Sequence, residues 1–504
     1  MTTDPIGTEP APGRSQARHY FVLIVIGATV AQSLGLTMKL PTQLGANDIS
    51  RWCTVWSLLE RGTYAIDECP WQSQTQDKVK KPNKLAAPKS GDSILRRVEY
   101  AIAPKSWKEG EAVDHYYSSK PPLLPTMIAG ILYPVRALTG FPLDRSILQP
   151  HEPRYVQKEG VEKPVLETPK EPVRWPAFVL YFKPIVVLLN VVPLWLFLVV
   201  YARFLDRYAA NDWAFYLSLA GAAWGTLLLD FIPTLNNHTI AATSAFFSLA
   251  AFIRIWDEGD SSWFRFAVVG FFAAFTACNE LPAAIFGLIL FVMLLVRFPK
   301  ATLLAFVPAA VIPCVAFLVT QYLAFGQFKP VYEEFGTKSY QYEGSYWNTP
   351  LEMDWFNVNP ESYATYLFHM TFGHHGVFSL TPLYLFSFHG ALRVLIRAQK
   401  LTSLAWLTIV LTLTMFGFYL WNPKARNYGG SAIGLRWLFW LIPFWLFFLP
   451  KGVEGGQERR WVRGLSLGAL MISVFAVGYG LRMPWSHPWI LDAMEHLDLY
   501  PLKR

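Results

Sequence analysis

The segment GANDISRWCTVWSLLERGTYAIDE sets Asp48 and Arg51 three residues apart, so that on a helix a carboxylate and a guanidinium share one face. As local structure, Asn47 or Asp48 caps a helix that Gly62 stops, and the pair is an ordinary ion pair at its start. As chemistry, it is an acid with a cation beside it. Further on, HYYSSKPPLLP places two prolines after Lys120; they fix an extended chain and hold the amine near an interface. There it touches lipid headgroups or enters a site. PTLNNHTIA and ACNELPA bring Asn236, Asn237, His238, Asn279 and Glu280 to very tight connections, where they can hydrogen-bond sugar or phosphate, or simply cap helices. In HMTFGHHG, His374 and His375 can contact phosphate or ligate a metal. Adjacent histidines rarely ligate together and no companion stands at a known spacing, so no metal ligand is assigned; a divalent ion is compatible with the sequence but not required by it. NPKARNYGGSAIGLRW sets Arg426 and Arg436 beside glycines that either bring backbone amides close to an anion or form a loose loop. Tyr340, Tyr342, Tyr346 and Trp347 are dense enough to stack on sugar rings, or to serve as an interfacial belt.

The elements that must position these groups are membrane helices. Of 504 residues, 53% are hydrophobic and only 16% charged, where soluble domains carry about a quarter. Apolar runs of near 20 residues recur, the length that crosses ~30 Å of hydrocarbon. Eleven spans are expected, at 20–36, 177–202, 213–235, 238–256, 264–278, 281–297, 301–324, 378–396, 402–421, 435–450 and 462–481. They leave a tail at 1–19, long hydrophilic loops at 37–176 and 325–377, and a tail at 482–504. The first span reads as an anchor, since no convincing cleavage site follows it. Transmembrane bundles are thus expected at 177–324 and 378–481, giving an all-α polytopic membrane protein with two large external loops. Ile49, Trp52, Val55, Trp56 and Leu59 give the helix after Asp48 an apolar stripe, as expected of one lying on the membrane surface. Residues 74–115 and 142–175, rich in Lys, Glu and Pro, read as solvated insertions. Cys53 and Cys69 share the first loop and can pair if it is oxidising; two unpaired thiols are the expectation. The net charge of +8 sits beside spans rather than on a basic soluble domain, which excludes nucleic acid as a partner.

Charge also sets topology. PPLLPTMIAGILYPVRALTG is apolar but short and interrupted by prolines. If it stays in the interface, Arg203, Arg207, Arg254, Arg265, Arg297, Arg393, Arg397, Arg459 and Arg460 gather on one side, with only Lys424, Arg426 and Arg436 in the short connections of the other. If it crossed, the bias would invert. The N-terminus is therefore expected in the cytoplasm, with both long loops and the C-terminus outside. Asp48, Lys120, Asn236, Asn237, His238, Asn279, Glu280, His374 and His375 then converge on the external surface, the form an active site takes there.

An acidic residue after the first span, an Arg three on, a helix ending in Gly and a Lys-Pro-Pro-Leu run together resemble the GT-C glycosyltransferases. The resemblance is to the bacterial branch of lipid A aminoarabinose transferases and protein O-mannosyltransferase-like enzymes. The matching residues are Asp48, Arg51, the run Leu58 to Tyr64, and Lys120, Pro121, Pro122 and Leu123. Leu435-Arg436-Trp437, leading into a span with Pro443, is similar to the family's Arg-aromatic motif. Ile49 departs from it where many members carry a second carboxylate, and about 77–112 is an insertion.

The resemblance implies a GT-C-like bundle that takes sugar from a polyprenyl-phosphate donor, with inversion, for a lipid, glycan or protein acceptor at the periplasmic face of the inner membrane. Asp48 would be the general base. Arg51, Lys120 and Arg436 would neutralise the donor phosphate, and Asn236, Asn237, His238, Asn279, Glu280, His374, His375 and Arg426 would line the substrate. A phosphate leaving group needs no strong acid, so one carboxylate serves where glycosidases use two. No Asp-x-Asp motif accompanies it, which disfavours a nucleotide sugar. The alternative from another class is a transporter or flippase of lipid-linked or sugar substrates. Transporters favour midplane charges and repeated halves, and neither is visible here. Reporter fusions or cysteine labelling are expected to read outside after residue 150 and inside after residue 260; an external signal at 260 overturns the topology.

Overall fold

The computed structural model describes residues 15–41, 44–109, 111–144, 146–149, 154–156, 165–167, 173–176, 178–334, 337–343, 345, 361–421 and 428–499. Among these, eight helices are long and apolar enough to cross a membrane: Gln16–Lys39, Leu180–Tyr208, Asp212–Phe231, His238–Trp256, Pro299–Phe325, Thr402–Trp421, Arg436–Gln457 and Arg460–Gly480. The chain thus has the architecture of an all-α polytopic membrane protein. The three other expected spans are shorter helices. Trp263–Asn279 and Leu281–Arg297 meet at the Leu281-Pro282 break, and Leu383–Arg397 starts only after Pro382. At 1.5 Å per residue a helix of about 17 residues is ~25 Å long, short of the full hydrocarbon.

The chain divides into two compact units, one of Met1–Leu40, Val187–Val319 and Glu343–Arg504, the other of Pro41–Val186 and Thr320–Tyr342. In the first, helices approach to backbone contact. A Cβ on Gly390 would lie 2.2 Å from the Phe448 carbonyl oxygen, and one on Gly452 only 1.8 Å from that of Phe386. Only glycine fits there, which is how Leu383–Arg397 and Ile442–Val453 pack without the hydrophobic drive that water supplies. Polar ties cross the same bundle. The Tyr201 hydroxyl donates to the Leu446 carbonyl at 2.7 Å, and Trp445 Nε1 to Thr412 Oγ1 at 3.0 Å.

The second unit is built around the helix Ala46–Glu60. Gly45, rather than Asn47 or Asp48, is its N-cap. Asp48 stands three residues in, and its Oδ2 accepts the Gly45 N–H at 3.1 Å, the returning half of a capping box. The stop is as expected, since Gly62 sits just beyond the end at φ +66°. The surface placement is not. Every residue from Asp48 to Ser57 is buried, so the helix is interior rather than half exposed.

It packs against the helix Leu123–Thr139, the strand Asp114–Ser118 and the turn Gln72–Gln74, and parts of the segments that looked solvated form strands. Lys78–Pro82 pairs antiparallel with Asp114–Ser118, Ser146–Gln149 with Val173–Pro176, and Arg154–Val156 with Val165–Glu167. Small sheets thus interrupt the expected all-α pattern. The lysines of the first strand are consumed by neighbours. Lys78 Nζ lies 4.9 Å from the Tyr116 ring centre, and Lys81 Nζ pairs with Glu334 at 3.0 Å. Burial pulls the Lys81 amine below its usual range despite that carboxylate.

Two ties fix the buried helix. Arg136, from the helix Leu123–Thr139, grips Glu60 through Nε and Nη2, both at 2.9 Å, and the Leu143 N–H adds a bond at 3.0 Å. Burial alone would raise the Glu60 carboxyl, but the guanidinium and the N–H outweigh it and hold it below its usual value. Cys53 and Cys69 form a disulfide with Cα atoms 5.5 Å apart, in place of the two free thiols expected. Its sequence separation of 16 residues corresponds to about 3 kcal/mol of stabilisation. Without reductant, Cys53 and Cys69 are expected to resist alkylation in the denatured chain, and the Cys53→Ala, Cys69→Ala variant to melt lower. Alkylation of both thiols before reduction contradicts the pairing.

Candidate functional site

The residues singled out in the sequence divide between the units. Asp48, Arg51 and Lys120 belong to the second; Asn236, Asn237, His238, Asn279, Glu280, His374, His375 and Arg436 belong to the first. Arg426 lies outside the described residues, as do Tyr346 and Trp347.

In the second unit, Asp48 is 0% exposed and Arg51 3%. Arg51 Nη1 reaches the Asn47 carbonyl at 3.4 Å. The Asp48 helix and the Lys-Pro-Pro run are joined directly. Ser50 Oγ donates to the Asp77 carbonyl at 2.5 Å and lies 2.6 Å from Ser118 Oγ, 68 residues away in sequence. The Lys120 N–H donates to Ser118 Oγ at 3.2 Å, and its ammonium pairs with Asp77 Oδ1 at 3.0 Å. Asp77 is the residue that sequence reasoning missed. It sat inside QTQDKVKKPNK, a run whose composition reads as solvated. Tyr340 and Tyr342 are buried, not a stacking platform, with Tyr342 edge-on to Tyr116 at 5.3 Å.

The same unit holds a cleft of about 340 Å³ whose lining includes Tyr64, Asp67, Asn83, Trp107, His115 and Tyr117. Aromatic walls with a few convergent polar groups suit a polyhydroxy ligand. Asp67 is anchored by His115 Nδ1 and the Tyr116 N–H, both at 3.1 Å. Burial, with Asp67 adding to it, pushes the Tyr117 hydroxyl up to about 12.

In the first unit, the two tight connections meet. Asn237 Nδ2 donates to the Asn279 carbonyl and to Glu280 Oε1, both at 2.8 Å, and His238 Nδ1 bonds the same carboxylate oxygen. Asn236 instead spends its amide on its own turn, donating to Thr234 Oγ1 at 2.8 Å and accepting the Thr239 N–H at 2.9 Å. It acts as a helix cap. Asn279 likewise returns its amide to the Phe275 carbonyl at 2.9 Å. The Arg436 guanidinium lies 5.1 Å from the Trp485 ring centre, and that ring is 6.5 Å from His238. Gly430 lies against the same guanidinium: a Cβ there would be 3.4 Å from Nη2. The glycine turn is therefore packed on Arg436, not loose. Asp230 is fully buried, and neither carboxylate oxygen has a hydrogen-bond partner among the described residues.

His374 and His375 join a second cluster. Their Nδ1 atoms are 2.5 Å apart, His369 stacks on His374 at 4.0 Å, and Tyr428 stacks on His375 at 4.5 Å. The Tyr428 hydroxyl donates to Glu361 Oε2, and Glu361 Oε1 lies 4.0 Å from His369 Nε2. Burial, reinforced by the neighbouring imidazoles, lowers His374 to about 3 and His375 well below its usual range. The turn that brings His374 back onto His369 depends on Gly373, where a Cβ would fall 2.3 Å from His369 Nδ1. Glu361, His369 and Tyr428 were not legible as a group because Tyr428 meets Glu361 across 67 residues of sequence.

No family model, no curated protein and no solved structure matches the chain.

The Lys120–Asp77 pair is half buried, so Asp77→Asn is expected to lower stability by about 1–2 kcal/mol, read as a lower melting temperature in detergent. An unchanged melting temperature would show that solvent already screens the pair.

Proposed function

We propose that this chain is a membrane glycosyltransferase of GT-C type. It takes a sugar from a polyprenyl-phosphate carrier and passes it, with inversion, to a lipid, glycan or protein acceptor on the periplasmic side of a bacterial inner membrane. The reading includes all eleven spans and an external position for both long loops. One observation carries it. The helix bearing Asp48 and Arg51 is bonded through Ser50 and Ser118 to the run that bears Lys120. Two motifs far apart in sequence, each matching the family pattern, thus belong to one buried network rather than to two independent surface features.

In this mechanism Asp48 takes the acceptor proton as the new glycosidic bond forms, and the carrier leaves as its phosphate. Arg51 offers bidentate contacts to that phosphate and Lys120 a point charge. Lys120 starts from its pair with Asp77, so an arriving phosphate exchanges one anionic partner for another and uncovers no bare ammonium. The disulfide Cys53–Cys69 supports an oxidising compartment for this unit. The cleft with Tyr64, Trp107 and Tyr117 supports a carbohydrate ligand.

Asp48→Asn discriminates between base and cap. The amide still accepts the Gly45 N–H, so fold and donor binding are retained, while turnover falls by ~10²–10⁴, the usual contribution of a positioned base. Lys120→Ala and Arg436→Ala in the same assay, with purified protein and polyprenyl-phosphate sugars at limiting concentration, are expected to reduce donor use roughly ten- to hundredfold. An Asp48→Asn protein that transfers sugar at the wild-type rate ends the catalytic assignment of Asp48.

A further inference from the structure

We infer that Glu361, His369 and His374 form a binding site for a divalent ion of the zinc class. One ligand atom from each residue lies within 4.8 Å of the other two, and all three residues are buried. An ion at 2.0–2.2 Å from two imidazole nitrogens and a carboxylate oxygen draws such atoms to about 3.3 Å of one another. The closure needed is of the order of an ångström, within the reach of side-chain torsions. The donor set selects the metal. Two imidazoles with one carboxylate suit Zn²⁺, Co²⁺ or Mn²⁺ far better than Mg²⁺ or Ca²⁺, which take oxygen ligands.

Two further contacts are those a ligating set requires. His374 Nδ1 is held by His375 Nδ1 at 2.5 Å, and the Tyr428 hydroxyl donates to Glu361 Oε2. Such outer contacts fix ring orientation and carboxylate geometry in metal centres. They also give His375 a role that needs no coordination, which resolves the difficulty of two adjacent histidines. Gly373 permits the third element. Its missing side chain lets the chain fold back after Thr371, so that His374 lies over His369. With three protein ligands the ion keeps a fourth position for water or an oxyanion. The site stands on these residues alone and holds whether or not the chain transfers sugar.

The test uses the full-length protein without a histidine tag, stripped by chelator in detergent and reloaded with zinc chloride or cobalt chloride. About one zinc per chain is expected by elemental mass spectrometry, with visible absorption bands of four- or five-coordinate Co²⁺ that zinc abolishes. Glu361→Gln, His369→Asn and His374→Asn are each expected to weaken zinc binding at least about tenfold, whereas His389→Asn, on an exposed position of another helix, leaves it unchanged. Because a buried variant can fail to fold, His374→Cys provides a gain of signal: a thiolate-to-cobalt charge-transfer band that a merely structural histidine cannot produce. Wild-type protein without cobalt bands, or with zinc bound as tightly by the His369→Asn, His374→Asn double variant, overturns the site. So does a His374→Cys protein that melts like wild type yet lacks the charge-transfer band.

Discussion

The second unit depends on a buried helix that carries too many polar groups to be buried alone. Asp48, Ser50, Arg51, Thr54 and Ser57 all lie inside, among Trp52, Val55 and Trp56. Burying polar atoms without hydrogen bonds costs more than burying the tryptophans returns locally, so the rest of the unit must supply partners. It does so in part: Thr54 and Arg51 bond back to carbonyls of their own helix and Ser57 Oγ has no partner among the described residues, but elsewhere the partners come from outside the helix. Ser50 meets Asp77 and Ser118, Thr75 donates to the Ala46 carbonyl at 2.8 Å, and Glu60 meets Arg136 and Leu143. Thr75, Asp77, Ser118, Arg136 and Leu143 are thus held against this helix by its polar groups. The disulfide at Cys53 holds the arrangement closed on one side.

That requirement explains what could and could not be read from the sequence. Hydropathy finds the long helices because in lipid every backbone group must be satisfied within the helix itself, which leaves continuous apolar runs as a signature. Gly62 was legible as a stop because a residue at φ +66° is a local demand. That Asn237 and Glu280 lie on tight connections was legible from the short gaps between apolar runs, but the bond between them was not. The strand Lys78–Pro82 was not. Lys78 is buried over an aromatic ring and Lys81 is half-buried against Glu334, and composition treats any lysine-rich run as solvated. The disulfide was equally hidden, since a spacing of 16 residues says nothing of whether a turn brings two sulfurs together.

The candidate chemistry shows the same division. Lys120 was recognisable from the prolines that follow it, but its partner Asp77 was recognisable only through the fold. His374 and His375 draw notice as a doublet in the sequence, but the metal site proposed above does not rest on the doublet. That site runs through His369 and Glu361, which the helix Tyr363–Thr371 and the Gly373 turn assemble.

The polar residues of the first unit also sort by what they spend their hydrogen bonds on. Asn236 and Asn279 direct their amides into their own backbone, which is the economy of a cap and leaves little for a ligand. Asn237, His238 and Glu280 instead bond to one another across two connections, and Arg436 stacks on the indole of Trp485. Side chains that satisfy each other across elements can exchange one of those contacts for a substrate without unfolding a helix end. Side chains that close a cap cannot. On that physical ground Asn237, His238, Glu280 and Arg436 are the side chains better placed to exchange a contact, and Asn236 and Asn279 are those that close helix ends.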